Sequence, residues 1–156
     1  MKALTLIQPW ATLIALGAKH IETRSWPTKH VGWLAITASK GFPRECRDLM
    51  LEEPFRSALE RYVSACGEEP VLPRGAVVCL AHLQACRPTE YWKAGARIFG
   101  KGEREYELAF GDFRDGRFGW YFDQVKQLKQ PVPCKGARGL WDVPTDLAAA
   151  IGVQLP

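Results

Sequence analysis

Lys19, Glu22, Arg24 and Trp26 fall together in Gly17-Ala-Lys-His-Ile-Glu-Thr-Arg-Ser-Trp26. An ammonium, a carboxylate, a guanidinium and an indole at one place make a poor apolar core and a good polar pocket. A carboxylate accepts from the amino or ring N–H of a nucleobase, and a guanidinium grips phosphate with two N–H groups or stacks on a ring. Lys19 suits a phosphate. It serves as a general base only if burial or a nearby cation disfavours its charged form, and Glu22 works against that. The plainer alternative is a solvated lysine at a helix end beside a surface Glu22–Arg24 pair worth under about 1 kcal/mol.

The elements around these residues set their directions. Leu4–Ile7 reads as a short strand. Pro9 suits the first turn of a helix, on which Trp10, Leu13, Ile14 and Gly17 recur at helical spacing. Gly17 is placed to end that helix in the left-handed conformation. From His20 the period becomes two, so Ile21, Thr23 and Ser25 point one way and His20, Glu22, Arg24 and Trp26 the other. Trp10 lies on the apolar helical stripe, whereas Trp26 lies on the polar face of its strand and is the better stacking platform. Gln8, just before the helix, could bond a ligand or cap the helix. Ser39 and Lys40 end the next strand, Val31–Ala38, whose continuous apolar run predicts burial on both faces.

Further on, residues 44 to 66 read as helix divided by Pro54, with Phe55, Ala58, Leu59, Tyr62, Val63 and Cys66 as the second piece's stripe. Ala76–Leu83 reads as a third strand, and 88 to 102 as irregular with one short helix. Tyr106–Phe113 and Arg117–Val125 read as strands joined by a hairpin turn at Asp115-Gly116. An extended loop, 131 to 139, leads to a last strand, Leu140–Val143, and a helix begun by Pro144. Six short strands and two or three helices without a repeated strand–helix rhythm predict an α+β fold: a mixed, mostly antiparallel small barrel, one domain over 1–156.

With 156 residues, 47% hydrophobic and 24% charged, the chain has the composition of a soluble globular domain. No apolar run is of membrane-spanning length and the N-terminus does not resemble a signal peptide, so a cytoplasmic protein is expected. A net charge of +4 permits an anionic partner without requiring one. Its five cysteines include no Cys-x-x-Cys and read as reduced thiols. Cys79-x-x-His82-x-x-x-Cys86 has metal-like spacing, but the preceding valines argue for a strand, on which Cys79 points away from His82. No metal and no cofactor are expected.

Leu-Thr-Leu-Ile-Gln-Pro-Trp-Ala-Thr-Leu-Ile (residues 4 to 14), followed by Gly17-x-Lys19-x-x-Glu22-x-Arg24-x-Trp26, resembles the N-terminal signature of the ASCH domain family, small β-barrels of the PUA-like superfamily. Arg74-Gly-Ala-Val-Val-Cys-Leu80, Trp120-Tyr-Phe and Pro131-Val-Pro-Cys-Lys-Gly136 extend the resemblance over nearly the whole chain. It implies a barrel with a cleft lined by Lys19, Glu22 and Arg24 and an RNA, nucleoside or nucleotide ligand. Gln8, Trp10, Trp26, Ser39 and Lys40 complete the candidate binding set. Some bacterial members hydrolyse the acetyl amide of N4-acetylcytidine with a lysine and a threonine of this motif. Lys19 stands at the lysine position and Glu22 at the threonine's. The alternative to a binding module is therefore a nucleic-acid-directed hydrolase, an amidohydrolase or ribonuclease, with Lys19 and Glu22 as its catalytic residues. A protein-binding role through 88 to 105 is the third class.

Overall fold

The computed structural model describes residues 1–60, 71–95 and 103–155. Six strands form one sheet: β1 (Lys2–Leu6), β2 (Ile21–Arg24), β3 (Gly32–Ala38), β4 (Ala76–Pro88), β5 (Phe118–Pro133) and β6 (Leu140–Asp142), in the order β2-β5-β4-β3-β1-β6. Among the described residues only β1 and β3 run parallel, and the other pairings are antiparallel. The result is the expected α+β fold with a mixed, mostly antiparallel sheet, curled into a half-barrel. Bulges in the β4–β5 ladder, and one between β3 and β4 at Ile36/Thr37, supply local bends.

Strand periodicity sends apolar residues to both faces, as the uninterrupted burial of Leu34–Ala38 requires. On one face Leu4, Leu34, Ile36, Ala81, Leu83, Trp120 and Phe122 pack under α1 (Trp10–Ala15). On the other, Ala3, Ala35, Val77, Leu80 and Leu128 pack against Ile151 of α6 (Thr145–Gln154). The remaining helical segments, α2 (Arg44–Leu49), α3 (Phe55–Ala58), α4 (Thr89–Lys93) and α5 (Glu103–Ala109), are short and bring the described total to six, where two or three are read from the sequence. Phe55, Leu59, Met50 and Phe110 close a third apolar cluster over Leu13. Tyr62, Val63 and Cys66 lie outside the described residues, as do 96 to 102.

Three expectations about these elements are corrected. Tyr106–Phe113 is not a strand. It is the end of α5 and a turn, because Glu103–Ala109 is rich in helix formers and buries Glu107 and Phe110, three residues apart. The Asp115-Gly116 turn exists, with Gly116 at φ 79°, but it leads from the exit of α5 into β5 instead of joining two strands. β5 also runs on to Pro133, into the start of the segment 131 to 139 that reads as an extended loop. Among the described residues it pairs beyond Tyr121 only with β4, and Pro131 falls in the register shift opposite Val78, where it costs no ladder bond.

Gly119 sits where β2, β5 and α4 meet. A Cβ there would lie 2.4 Å from the Trp92 ring and 2.8 Å from Ile21 Cγ2. The Trp92 indole also donates to the Gly119 carbonyl at 3.1 Å. Gly119→Ala is expected to lower stability by about 1–3 kcal/mol, measured as the shift in urea midpoint. An unchanged midpoint would show that this junction can relax.

Candidate functional site

The helix-to-strand junction is built by a Schellman motif. Gly17, at φ 69°, donates to Ile14 O, and Ala18 donates to Leu13 O, both at 2.9 Å. The chain then turns inward, so Lys19 is fully buried. Its ammonium donates to Phe110 O at 2.9 Å and to Ile21 O. It also lies 4.0 Å from Glu22 Oε2 and 4.0 Å from Glu107 Oε1. A lysine between two carboxylates and two carbonyls is an internal strut, distinct from the solvated lysine of the plainer reading. Burial lowers its pKa against the pull of both carboxylates. The same burial raises that of Glu22, opposed by Lys19, Arg24 and Arg117.

Glu22 and Arg24 share a face of β2, as the period of two requires, with Arg24 Nη1 3.6 Å from Glu22 Oε1. Arg24 in turn lies over the Trp26 ring, 5.8 Å from its centroid. Trp26 meets Trp120 edge to face at 4.6 Å and packs against the sheet core. Half-buried Trp10 donates its indole N–H to Phe110 O at 2.8 Å.

Two hollows adjoin this junction, with Phe110 as a common wall. The first, about 310 Å³, is lined by Trp10, Glu22, Thr23, Phe55, Gly111 and Asp112 among others. The second, about 340 Å³, is lined by Ala18, His20, Pro54, Ser57, Tyr106 and Glu107 among others. Both are at the small end for ligand sites. At the rim of the first, Asp112 is bonded by two nitrogens of Arg114, at 2.8 and 2.6 Å. Chiefly for that reason its pKa falls to about 2. Arg117 donates to Thr23 O at 3.2 Å and to Asp112 O at 3.1 Å, so Arg24 pairs with Glu22 while Arg114 and Arg117 pair with Asp112.

The structure thus brings together Trp10, Lys19, Glu22, Arg24 and Trp26. It does not bring Gln8, Ser39 and Lys40 to them. Gln8 is fully buried, accepting from Thr12 N–H at 3.1 Å and donating to Pro73 O at 2.6 Å, which is the helix-capping alternative. Ser39 donates to Gly41 O at 2.8 Å, and the Lys40 stem lies over Gly75. Both follow the end of β3 paired with Ala76, whereas β2 joins β5 beside the opposite end of β4. Sequence reasoning missed Glu107, which accepts from His20 N–H at 2.8 Å and Ile21 N–H at 2.7 Å. It also missed Asp112, Arg114 and Arg117. Nothing local marks Glu107, since its partners are over 80 residues away.

Cys79 is buried in the sheet core, while His82 bonds Asp123 at 2.7 Å and meets Trp33 edge to face. Among the described residues no three His, Cys, Asp or Glu side chains gather as a metal site. No described helix is long and apolar enough to cross a membrane.

A curled half-barrel carrying its polar cluster just after the first helix has a PUA-like fold. The ASCH domain model matches residues 4–131, and the chain belongs to that family, whose members are generally RNA-binding. A crystal structure of ASCH from Zymomonas mobilis is similar over 99% of this chain and 95% of that one, with TM-score 0.55 and 13% identity. A tyrosine-to-phenylalanine variant of the same protein gives TM-score 0.54 and 12% identity, over 99% of this chain and 98% of that one. At such identity the likeness is one of fold. Activating signal cointegrator 1 of Homo sapiens is 48% identical over 48 residues, 30% of this chain and 8% of that protein. The Mus musculus protein is 44% identical over the same shares. The match therefore spans 8% of the length of those relatives.

Proposed function

We propose that the chain is an RNA- or nucleotide-binding module that reads a base in the hollow beside Trp10. The observation that carries this reading is Glu22, nearly buried yet lining the hollow beside Trp10, with Arg24 paired to it and with Arg114 and Arg117 paired to Asp112 of the same lining. Glu22 accepts from a base amino edge, Trp10 bounds the base, and Arg24, with Arg114 and Arg117, meets phosphate. Trp26 holds Arg24 in place. Lys19 supports Glu22 from behind and does not touch the ligand. RNA affinity of the full chain should fall steeply between low and moderate salt, because phosphate contacts release counterions. Arg24→Ala should weaken binding by about 1–3 kcal/mol and flatten the salt slope. Salt-independent binding, or an Arg24→Ala protein equal to wild type, would refute it.

A second reading draws on the same groups. Burial pushes Glu22 up, the direction in which a general acid–base carboxylate is tuned, and Lys19 down. An amidohydrolase acting on an acylated nucleoside, or a ribonuclease, would use Glu22 to activate water and Arg24 to stabilise developing negative charge. Lys19, enclosed, would favour the Glu22 carboxylate against the burial that raises its pKa. Incubation with N4-acetylcytidine and with short RNA separates the two. Turnover that Glu22→Gln abolishes supports the enzyme, and no turnover leaves the binding module.

A further inference from the structure

We infer that the ligand is at least a dinucleotide, with one base discriminated and its neighbour stacked without discrimination. This rests on the binding reading above and concerns the second hollow, between Tyr106, His20, Pro54 and Ser57. The two hollows are close in volume, about 310 and 340 Å³, and share Phe110 as a wall. Residues of one short segment face both: Gly17, Ala18 and His20 the second, Glu22 and Thr23 the first. Lys19 joins them from below, 4.0 Å from a carboxylate that lines each. A strand of nucleic acid crossing Phe110 meets both in succession.

The chemistry of the two differs. In the first, Glu22 makes ion-pair contacts at 3.6 and 4.0 Å and lines the cavity, so a base amino group finds an acceptor. In the second, both oxygens of Glu107 already accept backbone N–H groups, from His20 and Ile21. That carboxylate holds the loop and does not read a base. What the second hollow offers is surface: a Tyr106 ring 52% exposed, a half-exposed His20 ring, Pro54 and Ala58. Aromatic faces accept every base, because every base has a π-face. One hollow therefore selects and its neighbour only grips.

The test is calorimetric titration of the full chain with nucleoside monophosphates and with dinucleotides carrying each base in each position. The best dinucleotide should bind roughly tenfold or more tightly than the best monomer, as one added stacked base provides. Affinity should depend on base identity at one position only. Tyr106→Ala should reduce dinucleotide affinity to the monomer level and leave monomer affinity unchanged. Ser57→Trp, which fills the second hollow from its exposed rim, should do the same, with thermal unfolding confirming that both variants fold. Monomers that bind in a Glu22-dependent way as tightly as dinucleotides would overturn this inference and keep the first hollow. Equal discrimination at both positions would also overturn it. Binding of neither ligand would overturn both readings.

Discussion

Lys19→Met is expected to destabilise the folded chain by about 3–5 kcal/mol at neutral pH, because it leaves Glu22 and Glu107 buried without their shared cation. Two backbone carbonyls, Ile21 O and Phe110 O, lose their donor as well. The loss should shrink on acidification. In the wild type, burial raises Glu22 above its ordinary 4.5, so the stability linked to its protonation is full below 4.5 and is lost as pH rises through the folded value. Lys19 runs the other way: lowered from 10.5, it contributes fully above 10.5, and that contribution is lost as pH falls through its folded value. Without Lys19 the Glu22 carboxyl titrates higher still, and neutralising it removes part of the variant's penalty. Urea unfolding at pH 7 and pH 5 reads the difference directly. A penalty under about 1 kcal/mol, or one identical at both pH values, would mean that water reaches these carboxylates.

Glu107→Ala should be nearly as damaging, again about 3–5 kcal/mol, and for a different reason. The residue ties α5 to the start of β2 by accepting from two adjacent backbone N–H groups. Alanine leaves both donors unmet and Lys19 with one carboxylate fewer. Glu107→Gln keeps one carbonyl acceptor and should lose less. Hydrogen exchange distinguishes the cause, since the amides of His20 and Ile21 should lose protection in the alanine variant beyond the change in global stability. Unchanged protection of those two amides would remove Glu107 from the account of how Lys19 and Glu22 are held.

The first half of the fold was legible because its signals are local. A proline before the helix, Gly17 after it and the switch to a period of two at His20 each act within a few residues, and together they orient Glu22 and Arg24. The apolar run of β3 is equally plain. What failed was non-local. Tyr106, Leu108 and Phe110 alternate as a strand would, yet the helix wins because Glu107 gains two N–H donors and an ammonium from the other end of the chain. β5 reads as a strand only to Val125, because among the described residues its outer half pairs on one side only and its register shift accommodates polar residues and Pro131. The polar character of the Lys19–Trp26 patch was visible as well. That its lysine lies behind the hollow, with the carboxylate in front, depends on where Phe110 presents its carbonyl, and no local pattern encodes that.

β6 contributes three residues, yet it lies along the outer side of β1, matching Lys2 with Asp142 and Leu4 with Leu140. Its Trp141 indole bonds Thr5 at 3.0 Å and Asp142 meets Lys2 at 2.9 Å, so the cover is fastened at several points. Without that cover, the N-terminal strand would offer unsatisfied amides and carbonyls from Lys2 to Leu4, a template for recruiting another chain. The short segment that follows the family-matched region thus occupies one flank of the N-terminal strand that another chain could otherwise pair with.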